Sequence, residues 1–319
     1  ARVRIIEKAC EGKLPEQAVN AIADNPNLSP AIIAKAGRIA GMVAEDKATL
    51  DGHQQTALLV MNQHLEAIGS KPIKISEDIG FRFDPALTRT NVDLVELVSG
   101  LKLSKAETGN ARGVLLLSGC PGTGKTSFGK YIADELELPI MLVKASDMKS
   151  PYVGQTEMNI RHAFESAQRD GAVIQFDEVD SFLLPREKAT KSFEISETNE
   201  FLTCLDDYRG VFIGTTNNAT EERLDPACQR RFDLHIRFDY PDRSMVRDLY
   251  CRLADRFGLE APDEGHLFCL DSIDRLTPGD FVQASRKSRL IPIKSHNDFL
   301  SQLKQCADWK PGASRRIGF

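Results

Sequence analysis

The sequence predicts an α/β protein: a P-loop three-layer αβα sandwich built on a parallel sheet, with an N-terminal helical region and a small C-terminal helical lid. Three observations predict it. Between residues 113 and 240, five short apolar runs (114–117, 140–143, 173–176, 211–213 and 234–238) alternate with stretches of helical periodicity. Strands joined by crossover helices give this pattern. The first run leads into Gly119-Cys120-Pro121-Gly122-Thr123-Gly124-Lys125-Thr126, which fits GxxxxGK[ST], and that loop needs an apolar strand before it and a helix after it. Finally, polar motifs follow the ends of the later runs, where ligands bind in open parallel sheets.

Taken in order, residues 1–69 read as helices separated by turn signals, a packed accessory domain. Pro15 opens one helix, Ser29-Pro30 caps the next, and a third places Leu58, Met61, Leu65 and Ile68 on one face. His53 and His64 read as ordinary residues of this domain rather than as ligands. Residues 70–90 are rich in Pro and turn formers and read as a linker or irregular lead-in. Helical periodicity resumes over 91–103, and 91–240 forms the α/β domain. Behind the glycine loop, 125–138 carries Phe128, Ile132 and Leu136 at helical spacing and stops before Pro139. After Pro241 the strands cease. Segments 244–257, 264–276 and 279–290 read as helices of a lid spanning 241–306, and 307–319 as an exposed, partly ordered tail.

Composition sets bounds. At 319 residues the chain can hold two or three domains, and 41% apolar with 27% charged residues is ordinary for a globular protein. The formal charge of −5 gives no overall pull toward nucleic acid or an anionic membrane. Seven cysteines without CxxC spacing argue against a disulfide framework or zinc site and for a reducing, cytoplasmic setting. Neither a membrane-length apolar run nor a signal peptide is present. The first residue is Ala rather than Met, as expected for a processed or truncated piece.

The chemistry begins in the glycine loop. Gly119, Gly122 and Gly124 let backbone N–H groups converge on phosphate oxygens, with Cys120, Pro121 and Thr123 completing the cradle and Ser127 following in the helix. Lys125 carries an ammonium to the β- and γ-phosphates, and the Thr126 hydroxyl ligates Mg²⁺. About fifty residues on, Val173-Ile174-Gln175-Phe176-Asp177-Glu178 is a buried strand ending in two carboxylates. Asp177 can hold the Mg²⁺ that Thr126 also ligates, and Glu178 can polarise the water that attacks the γ-phosphate. Asp180 reads as a helix N-cap before Phe182, or as a residue that supports the cation's ligands from outside, rather than as a metal ligand itself. The strand over 211–213 leads to Asn217, whose amide can hold that water or the γ-phosphate.

Leu224-Asp225-Pro226-Ala227-Cys228-Gln229-Arg230-Arg231-Phe232-Asp233 completes a pattern. With GCPGTGKT, QFDEVD and TTNN, the stretch from 113 to about 290 resembles the ATPase module of the AAA family within the AAA+ superfamily. The resemblance implies ATP or ADP with Mg²⁺ as ligands, Lys125 and Thr126 as the Walker A pair, and Asp177 and Glu178 as the Walker B pair. It makes Asn217 sensor 1 and Arg230 and Arg231 candidate arginine fingers. Such fingers act on a neighbouring subunit's nucleotide, so a ring-shaped homo-oligomer, usually a hexamer, is implied. The chain departs from the family pattern in three ways: Cys120 replaces a Pro, a Pro-Gly spacer between the arginines is missing, and the lid helix opens as TPGDF at 277–281. That opening is similar to the SGAD-like start of the family's lid helix and makes Gly279 a nucleotide-binding candidate. Arg286, two turns on, is the nearest stand-in for a sensor 2 arginine.

Ser150-Pro151-Tyr152-Val153-Gly154 resembles the aromatic-apolar-Gly pore loop of substrate-threading members. An aromatic grips an extended polypeptide without needing particular side chains. The polar run 185–195 stands where a second pore loop would lie. None of the six His residues lies in HExxH, so the protease activity of some family members is not expected. The leading expectation is an ATP-driven motor that remodels, unfolds or threads a protein substrate through a ring. The alternative is an ATP-dependent assembly switch with slow turnover. A nucleic-acid motor is disfavoured by the acidic balance.

Overall fold

The computed structural model describes residues 2–10, 14, 16–23, 25, 28–44, 50–68, 73, 83–183, 192–217, 226–308 and 310. The chain divides into two compact units, 1–78 and 79–319.

The first unit is helical: α1 (Arg2–Ala9), α2 (Glu16–Ala23), α3 (Pro30–Ala44) and α4 (Leu50–Ala67). Its core joins Ile6, Ile22, Leu28, Ile33, Met61 and Leu65, all almost fully buried. Small residues let α3 approach α1; a Cβ on Gly37 would lie 2.0 Å from the Ala9 carbonyl oxygen. Met61 and Leu65 face the core as expected, but Ile68 is exposed, because it lies just past the end of α4.

In the second unit the sheet has five strands: β1 (Gly113–Gly119), β2 (Ile140–Lys144), β3 (Val173–Asp177), β4 (Val211–Thr216) and β5 (Leu234–Phe238). All pair in parallel, in the order β2-β3-β4-β1-β5. Successive strand side chains point to opposite faces, and both faces here are apolar. Val114, Leu116, Ile174, Phe176 and Phe212 enter one core, closed by α8 (Gln155–Asp170) and α9 (Ser192–Asp207). Leu115, Leu117, Val173, Val211 and Ile213 enter the other, closed by α5 (Leu94–Thr108) and α6 (Lys125–Glu135). This is the expected three-layer sandwich. An aromatic stack in the first core, Phe164 on Phe212 with centroids 5.7 Å apart, contributes about 1 kcal/mol beyond its area burial.

Local contacts set both ends of α5. Asp93 caps α5 by accepting from the amides of Val95 and Glu96 at 2.8 and 3.0 Å, and Gly109 ends it in the left-handed region. Asn91 closes the edge of β5: its amide donates to the His235 carbonyl and accepts from the Arg237 amide. Short helices α7 (Ala145–Met148) and α10 (Pro226–Gln229) complete the layer connections.

The lid holds α11 (Arg243–Arg256), α12 (Glu264–Asp271), α13 (Pro278–Lys287) and α14 (His296–Asp308). Its core centres on Tyr250 stacked on Phe299, with Leu253, Phe281 and Leu303. The fourth helix adds to the three expected, and α12 stops at Asp271 rather than 276. Leu87 from the lead-in also joins this core. The expectation of an exposed tail meets a buried Ala307 and a paired Lys310; positions 309 and 311–319 lie outside the described residues.

Candidate functional site

β1 ends in the glycine loop against β5, where a Cβ on Gly119 would stand 2.1 Å from the Phe238 carbonyl oxygen. Glycine is therefore required at that turn. The loop closes into α6, which starts at Gly124 with no side-chain cap. Its first N–H groups and positive dipole end face the cleft above, an arrangement that favours an anion. Lys125 is buried and its ammonium donates to the carbonyls of Gly119 and Cys120 at 2.7 and 2.9 Å. Burial lowers this ammonium to about 8, against the pull of Cys120, Asp177 and Asp180.

Across the loop, β3 delivers Asp177. Its Oδ1 accepts from the Gln175 amide nitrogen and the Thr215 hydroxyl, both at 3.0 Å. The Thr126 hydroxyl lies 3.4 Å from Oδ1 and 3.5 Å from Oδ2. A hydroxyl and a carboxylate so placed are hard oxygen donors fit for Mg²⁺. Glu178 follows in the left-handed region, φ 63°, unusual for a side chain with a Cβ and costing on the order of 1 kcal/mol. Its amide donates to Thr215 Oγ1 at 3.3 Å, so one threonine of β4 holds the backbone of Glu178 and the carboxylate of Asp177 together. Asp180 is not the N-cap expected of it. It lies inside the 3₁₀ turn Val179–Phe182, whose N-cap position is Glu178, and its Oδ1 is buried without a hydrogen-bond partner among the described residues.

These residues share one cleft of about 360 Å³. Loop residues Pro121–Ser127, with Asp177, Glu178 and Asn217, line it from the sheet, and Gly279 lines it from the lid. The Gly279 amide donates to the Gly122 carbonyl at 2.8 Å. Cys120 lies beside this wall, next to the hydroxyl of Tyr240, which burial and that contact push up to about 12. Arg286 is exposed and does not line the cleft.

The remaining wall comes from residues that sequence reasoning did not single out: Phe83, Leu87 and Thr88 from the lead-in, and Leu249, Pro278 and Val282 from the lid. Phe83 packs on Phe128 and Tyr131 at 5.4 Å. Asp84 caps the turn Pro85–Leu87 and pairs with Arg252 of α11 at 2.9 Å. An apolar recess beside an anion-binding helix end accommodates a flat base next to its phosphates.

The other expected residues lie elsewhere. Arg231 is bound through its Nε to both oxygens of Asp206, 2.9 Å each, whereas Arg230 is exposed and has no ion-pair partner among the described residues. Tyr152 and Val153 stand just before α8, 77% and 92% exposed. Asn218, residues 219–225, and 185–191 of the second pore-loop assignment lie outside the described residues.

A parallel sheet with this strand order, a glycine loop feeding an uncapped helix and an acidic strand end beside it define a P-loop nucleotide-binding domain with a helical lid. Residues 115–240 match the model of the ATPase family associated with various cellular activities, AAA, and the chain carries an AAA ATPase domain. Over 186 residues it is 38% identical to the nuclear valosin-containing protein-like protein of Mus musculus, covering 54% of this chain and 20% of the relative. Over 211 residues it is 35% identical to an AAA ATPase forming ring-shaped complexes from Corynebacterium efficiens, covering 59% and 39%. The chain thus spans less than half the length of these curated relatives. The crystal structure of the FIGL-1 AAA domain in complex with ADP shares the fold, with TM-score 0.53 and 21% identity over 76% of this chain and 93% of that one.

Proposed function

We propose that the chain hydrolyses ATP with Mg²⁺ in a ring of its own copies and uses the cycle to remodel, unfold or thread a polypeptide. The observation that carries the reading is the single cleft shared by Lys125, Thr126, Asp177, Glu178 and Asn217. In it, Lys125 exchanges the loop carbonyls for β/γ-phosphate oxygens, and the amides that open α6 cradle the phosphates. Thr126 and Asp177 hold the cation. Bound Mg²⁺ neutralises charge on the phosphates. Glu178 takes the proton of the attacking water, and Asn217 orients that water or the γ-phosphate.

The arginine pair supports a ring. Arg231 is occupied by Asp206 of its own chain, so Arg230 is the residue available to reach a neighbour's γ-phosphate. The relative named for its ring-shaped complexes is in keeping with this. Tyr152 and Val153, held out at the start of α8, supply an apolar grip for an extended polypeptide.

A cytoplasmic setting is proposed from the seven free cysteines, of which Cys10, Cys204, Cys228 and Cys306 are buried. No described helix is long and apolar enough to cross a membrane.

The test is Mg²⁺-dependent phosphate release by the purified chain beside Glu178→Gln. Release that is lost in the variant while ATP binding is kept supports the reading. Equal release by parent and variant would overturn it.

A further inference from the structure

Gln175 lies at the middle of β3, on the face that looks toward α6, where Val173 of the same strand and Ile213, its partner on β4, are apolar. It is completely buried. Its Nε2 donates to Asp177 Oδ1 at 3.0 Å, and its Oε1 has no hydrogen-bond partner among the described residues. The amide's orientation follows from its neighbour, since the opposite flip would set oxygen against a carboxylate. Leaving one end of a buried amide unpaired destabilises a fold, where an apolar side chain of similar volume would not. The helix above makes room for this side chain: a Cβ on Gly129 would stand 1.9 Å from Gln175 Oε1.

The consequence falls on Asp177. Oδ1 receives both Gln175 and Thr215 at 3.0 Å, two bonds that fix the carboxylate plane. The Thr126 hydroxyl stands almost equally far from both oxygens, 3.4 Å from Oδ1 and 3.5 Å from Oδ2, and Oδ2 takes neither the Gln175 nor the Thr215 bond. Outer partners of this kind orient a metal-binding carboxylate and are required for its full affinity.

We propose that Gln175, seated in the space left by Gly129, is a positioning residue that orients Asp177 to bind the divalent cation accompanying the nucleotide. The assignment rests on the reading of Asp177 as the cation's carboxylate.

It is tested by titrating Mg²⁺ into the complex of the full chain with a fluorescent ADP, for the parent, Gln175→Leu, Gln175→Met and Asp177→Asn. Both Gln175 variants should need about tenfold more Mg²⁺ for half-saturation, and bind ADP in EDTA as the parent does. Gly129→Ala, which displaces the amide while keeping it, should raise the Mg²⁺ requirement alone but add nothing in the Gln175→Leu background. An unchanged Mg²⁺ requirement in both Gln175 variants would overturn the assignment. So would parallel loss of ADP binding in EDTA and of thermal stability, which would mark Gln175 as a packing residue. If Asp177→Asn keeps the parent's Mg²⁺ response, the site reading itself fails and the role of Gln175 with it. Asp177→Asn losing that response while the Gln175 variants keep it removes Gln175 alone.

Discussion

The backbone amide of Gly279 donates to the carbonyl of Gly122 at 2.8 Å, joining the first turn of α13 to the phosphate loop. The contact is close enough that a Cβ on Gly279 would lie 2.8 Å from Gly122 Cα. The same turn is braced from below: Asp280 accepts from the Thr277 amide and hydroxyl, and Lys310 pairs with Asp280 at 2.5 Å. Lid position and loop shape are therefore one variable.

Gly279→Ala should force lid and loop apart. Overpacking of this kind costs about 1–3 kcal/mol, which in binding is about a 5- to 150-fold loss. Calorimetric titration with ADP reads it directly. Parent affinity in the variant would show that nucleotide binding does not need the lid contact.

The two arginines should separate cleanly. Arg230→Ala is expected to lower hydrolysis by about a thousandfold or more and leave the melting temperature alone. Arg231→Ala breaks a partly exposed pair with Asp206 and should cost about 0–1 kcal/mol of stability. Phosphate release and thermal melts on both variants check this. A catalytic defect confined to Arg231→Ala would exchange their roles.

Most of this site was legible in the sequence because its chemistry demands residue types at fixed spacing. On the proposed reading Lys125, Thr126, Asp177 and Glu178 answer to the phosphate and the cation, and they lie at the start of α6 and at the end of β3. The base-side wall was not legible. Phe83 and Leu87 sit in a turn-rich segment that reads as a linker, and only folding brings them to Phe128 and to the lid core. Gln175 did carry a signal, a lone polar residue inside VIQF, but its meaning depends on Gly129 across two layers. Helix α14 has its apolar residues at Phe299, Leu300, Leu303 and Ala307, a plain helical stripe that follows Pro292 and lies beyond where the last expected helix ends. The bounds of α12 were missed because Leu276 joins the lid core from irregular chain just after a turn, which periodicity alone extends into helix.

Alkaline stability follows from Tyr208. Its hydroxyl donates to the Ala172 carbonyl, and burial raises the phenol from 10.0 to about 12. Above the unfolded value the unfolded chain loses this proton while the folded chain keeps it, so stability falls as pH rises from about 10 toward 12. Tyr208→Phe should flatten that part of the slope and cost about 1 kcal/mol at neutral pH. Urea melts between about pH 8 and pH 11 decide it; an unchanged alkaline slope in the variant would contradict the assignment.

Tyr152→Ala should leave basal hydrolysis within about twofold, since the ring lies outside the cleft, while abolishing ATP-driven unfolding of a polypeptide. The readout is loss of fluorescence from an unfoldable reporter fused to an unstructured segment. Full-rate processing by the variant would remove the threading part of the proposed function.

The central claim is that the cleft is completed by Arg230 of a neighbouring copy. ATPase rate per subunit, measured across a wide range of protein concentration, tests it most directly. The rate should rise steeply as rings assemble, and an equimolar mixture of Arg230→Ala and Glu178→Gln chains, each inactive alone, should recover activity at those interfaces where an intact Arg230 meets an intact Glu178. A rate per subunit that stays constant down to concentrations where the chain is a monomer would contradict the account.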